Sequence, residues 1–261
     1  MDLMWMFPRE ERLGGVLFDY PSSIVALVLL YLWFVLLAGP RWMANREPLR
    51  LKTATRCFNL FQVVANIWYS YTTTSLAVRN YHTGRFSLGC NPPSIGLAPL
   101  ADPWDNFLIL IMCHVYFRVR ILDFLDTVFF VLSKKQSHVS FLHVYHHVVV
   151  VVTAYVYLRS GWAPCIYYAS LLNSMVHVVM YSYYFLSTFP SMRPYLWWKK
   201  YLTVVQISQF AILLLQIVYI SIYNCGYPPI VCQYNIAQVC IFLVLFTNFY
   251  ARSYGRQKRI D

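Results

Sequence analysis

Charged residues are scarce in this chain, at 12% of its 261 residues, whereas hydrophobic residues make up 59%. Soluble globular domains carry about 25% charged residues, so this composition excludes an ordinary soluble domain and indicates a polytopic membrane protein. Acidic residues are especially few, because 10 Asp and Glu stand against 21 Lys and Arg, which gives a formal charge of +11. We interpret that excess as a sign of membrane topology and expect no nucleic-acid partner.

Several other signals are missing. Segment 1–20 carries charges but no apolar core of a cleaved signal peptide, so the first membrane span must act as the anchor. No Asn is followed by x-Ser or x-Thr, so an N-glycosylation signal is absent. The cysteines show no metal-ligand spacing, and no internal repeat or low-complexity linker divides the chain. We therefore expect a single integral-membrane domain over residues 1–261.

Crossing a bilayer takes about 17 to 25 helical residues, and seven apolar runs are candidates for such spans. The first is short, and the third is long enough to tilt or to project beyond the bilayer. Together the seven runs predict an all-α fold with seven transmembrane helices. Their limits are Ile24–Ala38, Cys57–Val78, Trp104–Leu132, Phe141–Leu158, Ala163–Leu186, Tyr201–Tyr223 and Ile230–Ala251.

Lys and Arg cluster in four segments, at 41–56, 134–135, 193–200 and 252–259. By the positive-inside rule these segments face the cytosol, so the basic tail 252–261 is cytosolic and segment 1–22 is lumenal. The loops that hold Cys90 and Cys225 then lie on the lumenal, oxidising side, where a disulfide persists. We expect these two cysteines to pair, with Cys232 as the competing partner. A basic pair near the end, Lys258-Arg259, approximates a retrieval signal of the endoplasmic reticulum.

Three histidines open the fourth run with i, i+3, i+4 spacing, which places His143, His146 and His147 on one helix face. A helix in lipid can hide such a face only against other polar groups. Three neighbouring runs supply polar side chains at helical spacing. They are Arg120, Asp123, Asp126 and Thr127; then Asn173, His177, Tyr181 and Tyr184; then Thr203, Gln206 and Gln209. A lone Gln or Asn is explained by one interhelical hydrogen bond, but four polar stripes together predict one buried polar chamber.

These motifs resemble those of the fatty-acid elongases, the very long chain 3-ketoacyl-CoA synthases. The match to the family's histidine box is His143-x-x-His146-His147. The later motifs are Asn173-x-x-x-His177-x-x-Met180-Tyr181 and Thr203-x-x-Gln206-x-x-Gln209, and the resemblance runs from roughly Cys57 to Tyr250. Two stretches depart from the family. Its Lys-x-x-Glu-x-x-Asp-Thr appears here with Arg120 and Asp123, and the Gln and Thr before the box appear as His138 and Ser140.

The resemblance implies the condensing step of fatty-acid elongation, in which an acyl-CoA and malonyl-CoA give a 3-ketoacyl-CoA, CO2 and CoA without cofactor or metal. It also implies a multi-pass protein of the endoplasmic reticulum membrane, in which six of the helices surround an acyl tunnel. Its partners would be membrane lipid and the reductases and dehydratase of the elongation cycle, and the sequence leaves a homodimer open. The CoA phosphates would approach at Lys134, Lys135, Lys199 and Lys200.

Under this interpretation His146 attacks the acyl-CoA to form an acyl-imidazole, while His143 and His147 orient it or move its proton. Asp123 or Asp126 would fix an imidazole tautomer. His177 and Asn173 would polarise the thioester carbonyl or hold the enolate. The residues expected to bind substrate are Arg120, Thr127, Tyr181, Tyr184, Gln206 and Gln209, together with the four lysines.

Two other classes of protein compete with this interpretation. Histidine-rich membrane desaturases and hydroxylases hold metal with about eight or more His and carboxylate ligands, and one box plus His177 supplies too few. A seven-helix receptor or transporter accounts for the number of spans but leaves the His, Asp and Gln faces without a use.

Overall fold

The computed structural model describes residues 19–82, 103–159 and 167–255, with the backbone alone at 103–107 and 110. All regular secondary structure in these ranges is helical. The helices are α1 (Pro21–Met43), α2 (Lys52–His82), α3 (Pro103–Leu122), α4 (Phe124–Leu132), α5 (Phe141–Arg159), α6 (Tyr167–Ser187), α7 (Lys199–Ile222) and α8 (Pro229–Tyr254). Short 3-10 turns at Gln136–His138 and Pro190–Tyr195 connect α4 to α5 and α6 to α7.

Within the described residues each predicted span lies on helix, which confirms the all-α fold class, and the predicted start of the fifth span, residues 163–166, lies outside them. Pro21 and Pro229 start α1 and α8, because proline is preset for the first helical turn and needs no hydrogen bond there. The third span was expected to be continuous over Trp104–Leu132, and this was wrong in one detail. The helix is interrupted at Asp123, between α3 and α4.

In the part of the chain that the structure describes, four helices are long and apolar enough to cross a membrane, namely α1, α5, α7 and α8. The chain is therefore a multi-pass membrane protein. Large apolar side chains face outward on these helices, where lipid would cover them: Leu29 is 60% exposed on α1, Leu215 is 72% exposed on α7 and Val244 is 68% exposed on α8. Helices α2, α3 and α6 instead carry buried polar side chains, among them Gln62, Asn66, Arg120, Asn173 and His177.

Six helices form a closed ring. Going around it, α2 packs against α6, α6 against α7, α7 against α8, α8 against α5, α5 against α3, and α3 against α2. The polar side chains of α2, α3 and α6 lie at one part of the ring, and an apolar group from α7 and α8, with Phe210 and Phe242 at its centre, lies at another.

Helix α1 lies outside the ring and packs on α4. A stretch of π-helix, Phe34–Ala38, precedes Gly39. A Cβ at Gly39 would lie 2.7 Å from Val131 Cγ1, so only glycine allows α1 to approach α4 this closely. Nearer its start, the ring of Tyr31 stacks on Phe124 of α4, with centroids 4.0 Å apart. Helix α1 is thus docked on the element that follows the Asp123 break.

The turn between α7 and α8 contains Cys225, which is disulfide-bonded. Cys232, the competing partner considered above, is free. Cys90 lies outside the described residues, so its pairing with Cys225 stays a prediction. The basic tail 252–261 and segment 1–22 also extend beyond the described ranges, which end at 255 and begin at 19.

Candidate active site

The interruption at Asp123 gathers three charged side chains inside the protein. Arg120, Asp123 and Asp126 are 2%, 1% and 7% exposed. Isolated charges in such surroundings are costly unless they are paired, and here Arg120 Nη1 lies 3.1 Å from Asp123 Oδ2. The ion pair joins α3 to the residue at which the helix breaks.

Arg120 also holds residues from two other helices. Its Nη2 donates to Asn66 Oδ1 of α2 at 2.8 Å, and its Nη1 donates to Asn173 Oδ1 of α6 at 3.2 Å. Nη1 further contacts Nδ1 of His177. The same Nη1 lies 3.1 Å from Nε2 of His177. A guanidinium has donors and no acceptor, so Arg120 holds the ring of His177 as a hydrogen-bond acceptor against α3.

The two carboxylates share a phenol. Tyr181 of α6 donates to Asp126 Oδ2 at 2.6 Å and lies 3.1 Å from Asp123 Oδ1. Asp123 Oδ1 also accepts from Gln62 Nε2 of α2 at 2.8 Å. Asp123 is thus held by side chains of α2, α3 and α6, so its contacts join three helices of the ring.

The histidine box lies next to this cluster on α5. The rings of His143 and His147 meet edge to face with centroids 4.3 Å apart, and those of His146 and His147 are 5.6 Å apart. His143 Nε2 lies 3.0 Å from Thr127 Oγ1 of α4. His146 points the other way, with its ring 5.3 Å from that of Phe242 on α8. The box therefore connects the α4 side of the site with the α8 side.

A cavity of about 130 Å³ extends from the box into the ring. One water needs about 10–15 Å³ by the same measure, so this space admits a ligand far larger than water. His146, Asn173 and Gln209 line one end, and Ile220, Tyr227 and Val231 line the other. From Gln209 to Ile220 the wall follows α7 for roughly 16 Å, at about 1.5 Å per residue. Among the described residues that line the cavity, His146 is the only histidine.

Asn173 is the polar group that joins the cavity to the charged cluster. Its Oδ1 accepts from Arg120 and from the Tyr116 hydroxyl, at 3.2 and 3.1 Å. With the oxygen occupied on that side, the amide nitrogen is left as the free donor of this cavity-lining side chain. An N–H donor near a histidine is suited to an oxyanion or a polarised carbonyl.

The other predicted substrate-binding residues occupy three kinds of place. Thr127 and Tyr181 are both 0% exposed and act on neighbouring side chains. Gln209 lines the cavity, whereas Gln206 Nε2 lies 3.6 Å from Met180 Sδ. Tyr184 is 37% exposed, at the margin of the cluster.

The predicted phosphate-binding lysines are exposed; Lys134 and Lys135 lie in the connection from α4 to α5, and Lys199 and Lys200 begin α7. Lys134 donates from Nζ to the carbonyl of Ala44 at 3.1 Å, and Lys200 Nζ lies 5.0 Å from the ring centroid of Tyr201. Lys135 and Lys199 act on His138. The pKa of His138 is lowered because partial burial disfavours the charged ring and because both ammonium groups repel its proton.

An aromatic contact links this basic region to the box. His138 stacks on Phe130 with centroids 5.0 Å apart, and Phe130 lies 5.6 Å from His143. His138 and Phe130 therefore connect the region of Lys135 and Lys199 to the histidine box.

Sequence reasoning missed the contribution of α2. Asn59, Gln62 and Asn66 are 2%, 0% and 1% exposed, and the latter two hold Asp123 and Arg120. Their i, i+3, i+7 spacing is the signal that marks a buried polar face. Tyr116 and Tyr31 were missed as well, since an aromatic residue in an apolar run gives no such signal.

Within the described ranges, no group of three or more His, Cys, Asp or Glu side chains is placed to hold a metal ion. The positive charge beside Asp123 is supplied by the guanidinium of Arg120.

Known proteins resemble this chain over nearly its full length. The sequence model of the ELO family, described as the GNS1/SUR4 family, matches residues 16–261. Very long chain fatty acid elongase 5 of Tachysurus fulvidraco is 31% identical over 97% of this chain and 83% of its own length. Elongase 5 of Mus musculus is 34% identical over 96% of this chain and 80% of its own length. Very long chain fatty acid elongase 7 of Rattus norvegicus is 34% identical over 98% and 89%.

Proposed function

The chain belongs to the ELO family, and on that basis we propose that it is a very long chain fatty acid elongase that condenses an acyl-CoA with malonyl-CoA. The products are a 3-ketoacyl-CoA two carbons longer, CO2 and free CoA. The observation that carries the proposal is the place of His146, a nucleophile at one end of a largely apolar cavity. The relatives named above are elongases, and they give no support to the alternative of a metal-dependent lipid oxidase.

The cavity is suited to the acyl chain. Most of its lining is aliphatic or aromatic, including Val149, Val150, Leu213 and Ile217. A chain that lies along α7 toward Ile220 would place its thioester beside His146 and Asn173. We infer that the ring of six helices surrounds an acyl tunnel, with all seven long helical segments crossing the membrane.

Acyl transfer to the enzyme is the first half of the proposed reaction. A ring nitrogen of His146 attacks the thioester carbonyl, the C–S bond breaks, and the thiolate of CoA leaves. The acyl-imidazolium loses its ring proton, by way of the neighbouring His147, to the departing thiolate. Asn173 donates its amide N–H to the carbonyl oxygen while that oxygen carries negative charge.

Condensation is the second half. Malonyl-CoA loses CO2, and the electron pair of the broken C–C bond becomes an enolate, which the Asn173 amide can hold. The enolate carbon attacks the acyl carbonyl, a C–C bond forms, and the C–N bond to His146 breaks. The departing imidazole takes up one proton from solvent by way of His147, which restores the neutral ring. Arg120 and Asp123 act on this chemistry through the side chains that they position, Asn173 and His177.

The location of the reaction follows from the charge distribution. The segments rich in Lys and Arg would face the cytosol, so CoA would enter near Lys135 and Lys199 in a protein of the endoplasmic reticulum membrane. The β-keto product needs reduction and dehydration before another cycle. Enzymes of those two reaction classes are therefore the expected partners.

An assay with purified protein tests the proposed function. A panel of acyl-CoAs is supplied with labelled malonyl-CoA, and 3-ketoacyl-CoA products and released CO2 are measured. We expect CO2 release to require both substrates and to be lost in His146→Ala. His82→Ala, which changes an exposed histidine at the end of α2, is the matched control and keeps activity. Release of CO2 that is independent of acyl-CoA, or no product with any chain length, would refute the proposal.

A further inference from the structure

Helix α1 contributes a hydroxyl to the site although it stands outside the ring of six helices. Most of its large side chains face outward, as Leu29 and Leu30 do at 60% exposed each. Tyr31 faces inward and is 5% exposed. Its hydroxyl lies 2.8 Å from Thr127 Oγ1 of α4, a contact between residues far apart in sequence.

Thr127 also contacts the histidine box. Its hydroxyl is fully buried and also lies 3.0 Å from His143 Nε2. A hydroxyl has one proton and can donate it to a single partner while accepting from another. If Tyr31 donates to Thr127, the proton of Thr127 is directed at His143 Nε2, and the neutral ring then carries its proton on Nδ1.

The ring of Tyr31 is fixed independently of its hydroxyl. It lies nearly parallel to that of Phe124, at 11° and 4.0 Å between centroids. The stack holds the hydroxyl at Thr127 without using any group of the site. Removing the hydroxyl oxygen of Tyr31 alone would therefore leave α1 packed on α4. The effect of the hydrogen bond can then be measured without a change in helix packing.

We propose that Tyr31 is a positioning residue of the condensing site, which acts through Thr127 to fix the orientation and tautomer of His143. His143 packs edge to face on His147, so its orientation constrains that of its neighbour in the box. The proposal rests on the proposed elongase function, because it assigns Tyr31 to the same histidines. It gives α1 a part in catalysis beyond anchoring the chain.

A double-mutant cycle on turnover tests the relay. Tyr31→Phe removes one hydroxyl and Thr127→Val is close to isosteric. We expect Tyr31→Phe to lower kcat on the order of ten-fold with KM for acyl-CoA unchanged, and Thr127→Val to lower it at least as much. Because Tyr31 acts through Thr127, the double variant should equal Thr127→Val alone. Thr127→Ser, which keeps the hydroxyl, should restore turnover and dependence on Tyr31.

A second measurement needs no turnover. Diethyl pyrocarbonate modifies unprotonated imidazole nitrogens, and peptide mass mapping gives the rate at His143. We expect Thr127→Val to raise that rate several-fold, since it removes the hydroxyl that lies against Nε2. Tyr31→Phe should raise the rate by a smaller factor, since the Thr127 hydroxyl is then no longer directed at Nε2 by Tyr31. The control is Tyr167→Phe, which removes another buried interhelical hydrogen bond, to the Thr73 carbonyl of α2, and should leave the rate at His143 unchanged.

The outcomes are separable. The relay would be overturned if the losses of kcat in Tyr31→Phe and Thr127→Val multiplied in the double variant. Full activity in Thr127→Val, or an unchanged modification rate in Tyr31→Phe, would also overturn it. An equal loss of kcat in Tyr167→Phe would show that any lost hydrogen bond has the same effect, and would also overturn it. If the wild-type protein lacks elongase activity, the proposed function fails, while the modification rates still decide whether Tyr31 controls His143.

Discussion

Arg120 and Asp123 form an ion pair across one helical turn, with Nη1 and Oδ2 3.1 Å apart and both side chains 2% exposed. These are the positions at which this chain departs from the Lys and Glu of the elongase motif. Arg reaches further than Lys, and Asp is one methylene shorter than Glu. Since their total reach is similar, we interpret the two departures as one compensated change that keeps the pair closed.

Compensation predicts a specific pattern of variants. Arg120→Lys should lose the branched contacts to Asn66 and Asn173, and Asp123→Glu should crowd a fully packed site. Each single change is expected to lower both Tm and kcat, kcat by about ten-fold or more. The double variant should recover most of both, because the two residues are in contact and their effects are coupled.

Thermal unfolding in detergent and turnover with labelled malonyl-CoA measure this pattern. Arg193→Lys changes an exposed Arg and serves as control, with no expected effect. Asp123→Asn should cause the largest loss of stability, because it leaves the buried Arg120 without its ion pair. Such a change costs about 3–5 kcal/mol in comparable sites. A double variant no better than the product of its single variants would contradict compensation.

The end of the cavity away from His146 predicts the length of the longest product. Ile220 lines it, about 16 Å along α7 from Gln209. Ile220→Ala removes side-chain volume there, so we expect the longest product to gain about one elongation cycle. Ile222→Ala makes the same change two residues away on the outward face, where Ile222 is 72% exposed, and should leave the products unchanged. Chromatography of the acyl products compares the two, and an identical product range would remove Ile220 from the tunnel wall.

The disulfide at Cys225 predicts a stability effect without a direct effect on the site. Cys225 is bonded, and pairing with Cys90 would close a loop of more than 100 residues, worth about 4–5 kcal/mol in the chain-entropy model. Non-reducing peptide mapping should therefore recover one peptide pair that holds both cysteines. Cys225→Ser should lower Tm clearly, whereas Cys232→Ser, which changes a free cysteine of the next helix, should not. A bridge from Cys225 to another cysteine would show that the pairing is wrong.

The sequence was sufficient for the parts of this protein that depend on periodicity. Apolar runs predicted the helices, and polar residues at i, i+3 and i+4 predicted which faces meet. The break at Asp123 could not be predicted in this way. The carboxylate of Asp123 is held by other helices, and nothing in the apolar run itself marks the residue at which the helix is interrupted. Gln62 and Asn66 have helical spacing but no charge, so each alone is explained by an ordinary interhelical bond.

Spacing alone could not distinguish the surroundings of the three histidines either. His143, His146 and His147 share one face by spacing, and that face is wide enough to meet α4 on one side and α8 on the other. In three dimensions His143 contacts Thr127 while His146 lines the cavity. The direction in which each ring points is set by Phe242 and by Thr127, which are distant in sequence.

The position of His146 leads to the last prediction, which concerns the order of events. If His146 carries the acyl group, acyl-CoA alone should release up to one equivalent of CoA per enzyme before malonyl-CoA is added, as expected for a ping-pong reaction. Direct attack of the enolate on acyl-CoA would give no such burst. Rapid quenching and thiol titration measure the burst. His146→Ala should abolish it and His82→Ala should keep it.

The adduct itself distinguishes the histidines. Mass mapping after the burst should find one acyl mass on the peptide that contains His143 to His147, and lose it in His146→Ala. Acyl-imidazoles hydrolyse readily, so the adduct persists only where water is excluded. The rings of Phe242 and Phe246, with centroids 5.3 and 6.2 Å from that of His146, provide such a barrier, and Phe246→Ala should shorten the lifetime of the adduct without preventing its formation. An acyl group on a cysteine would refute the mechanism, whereas one on His177 would keep the chemistry and exchange the roles of the two histidines.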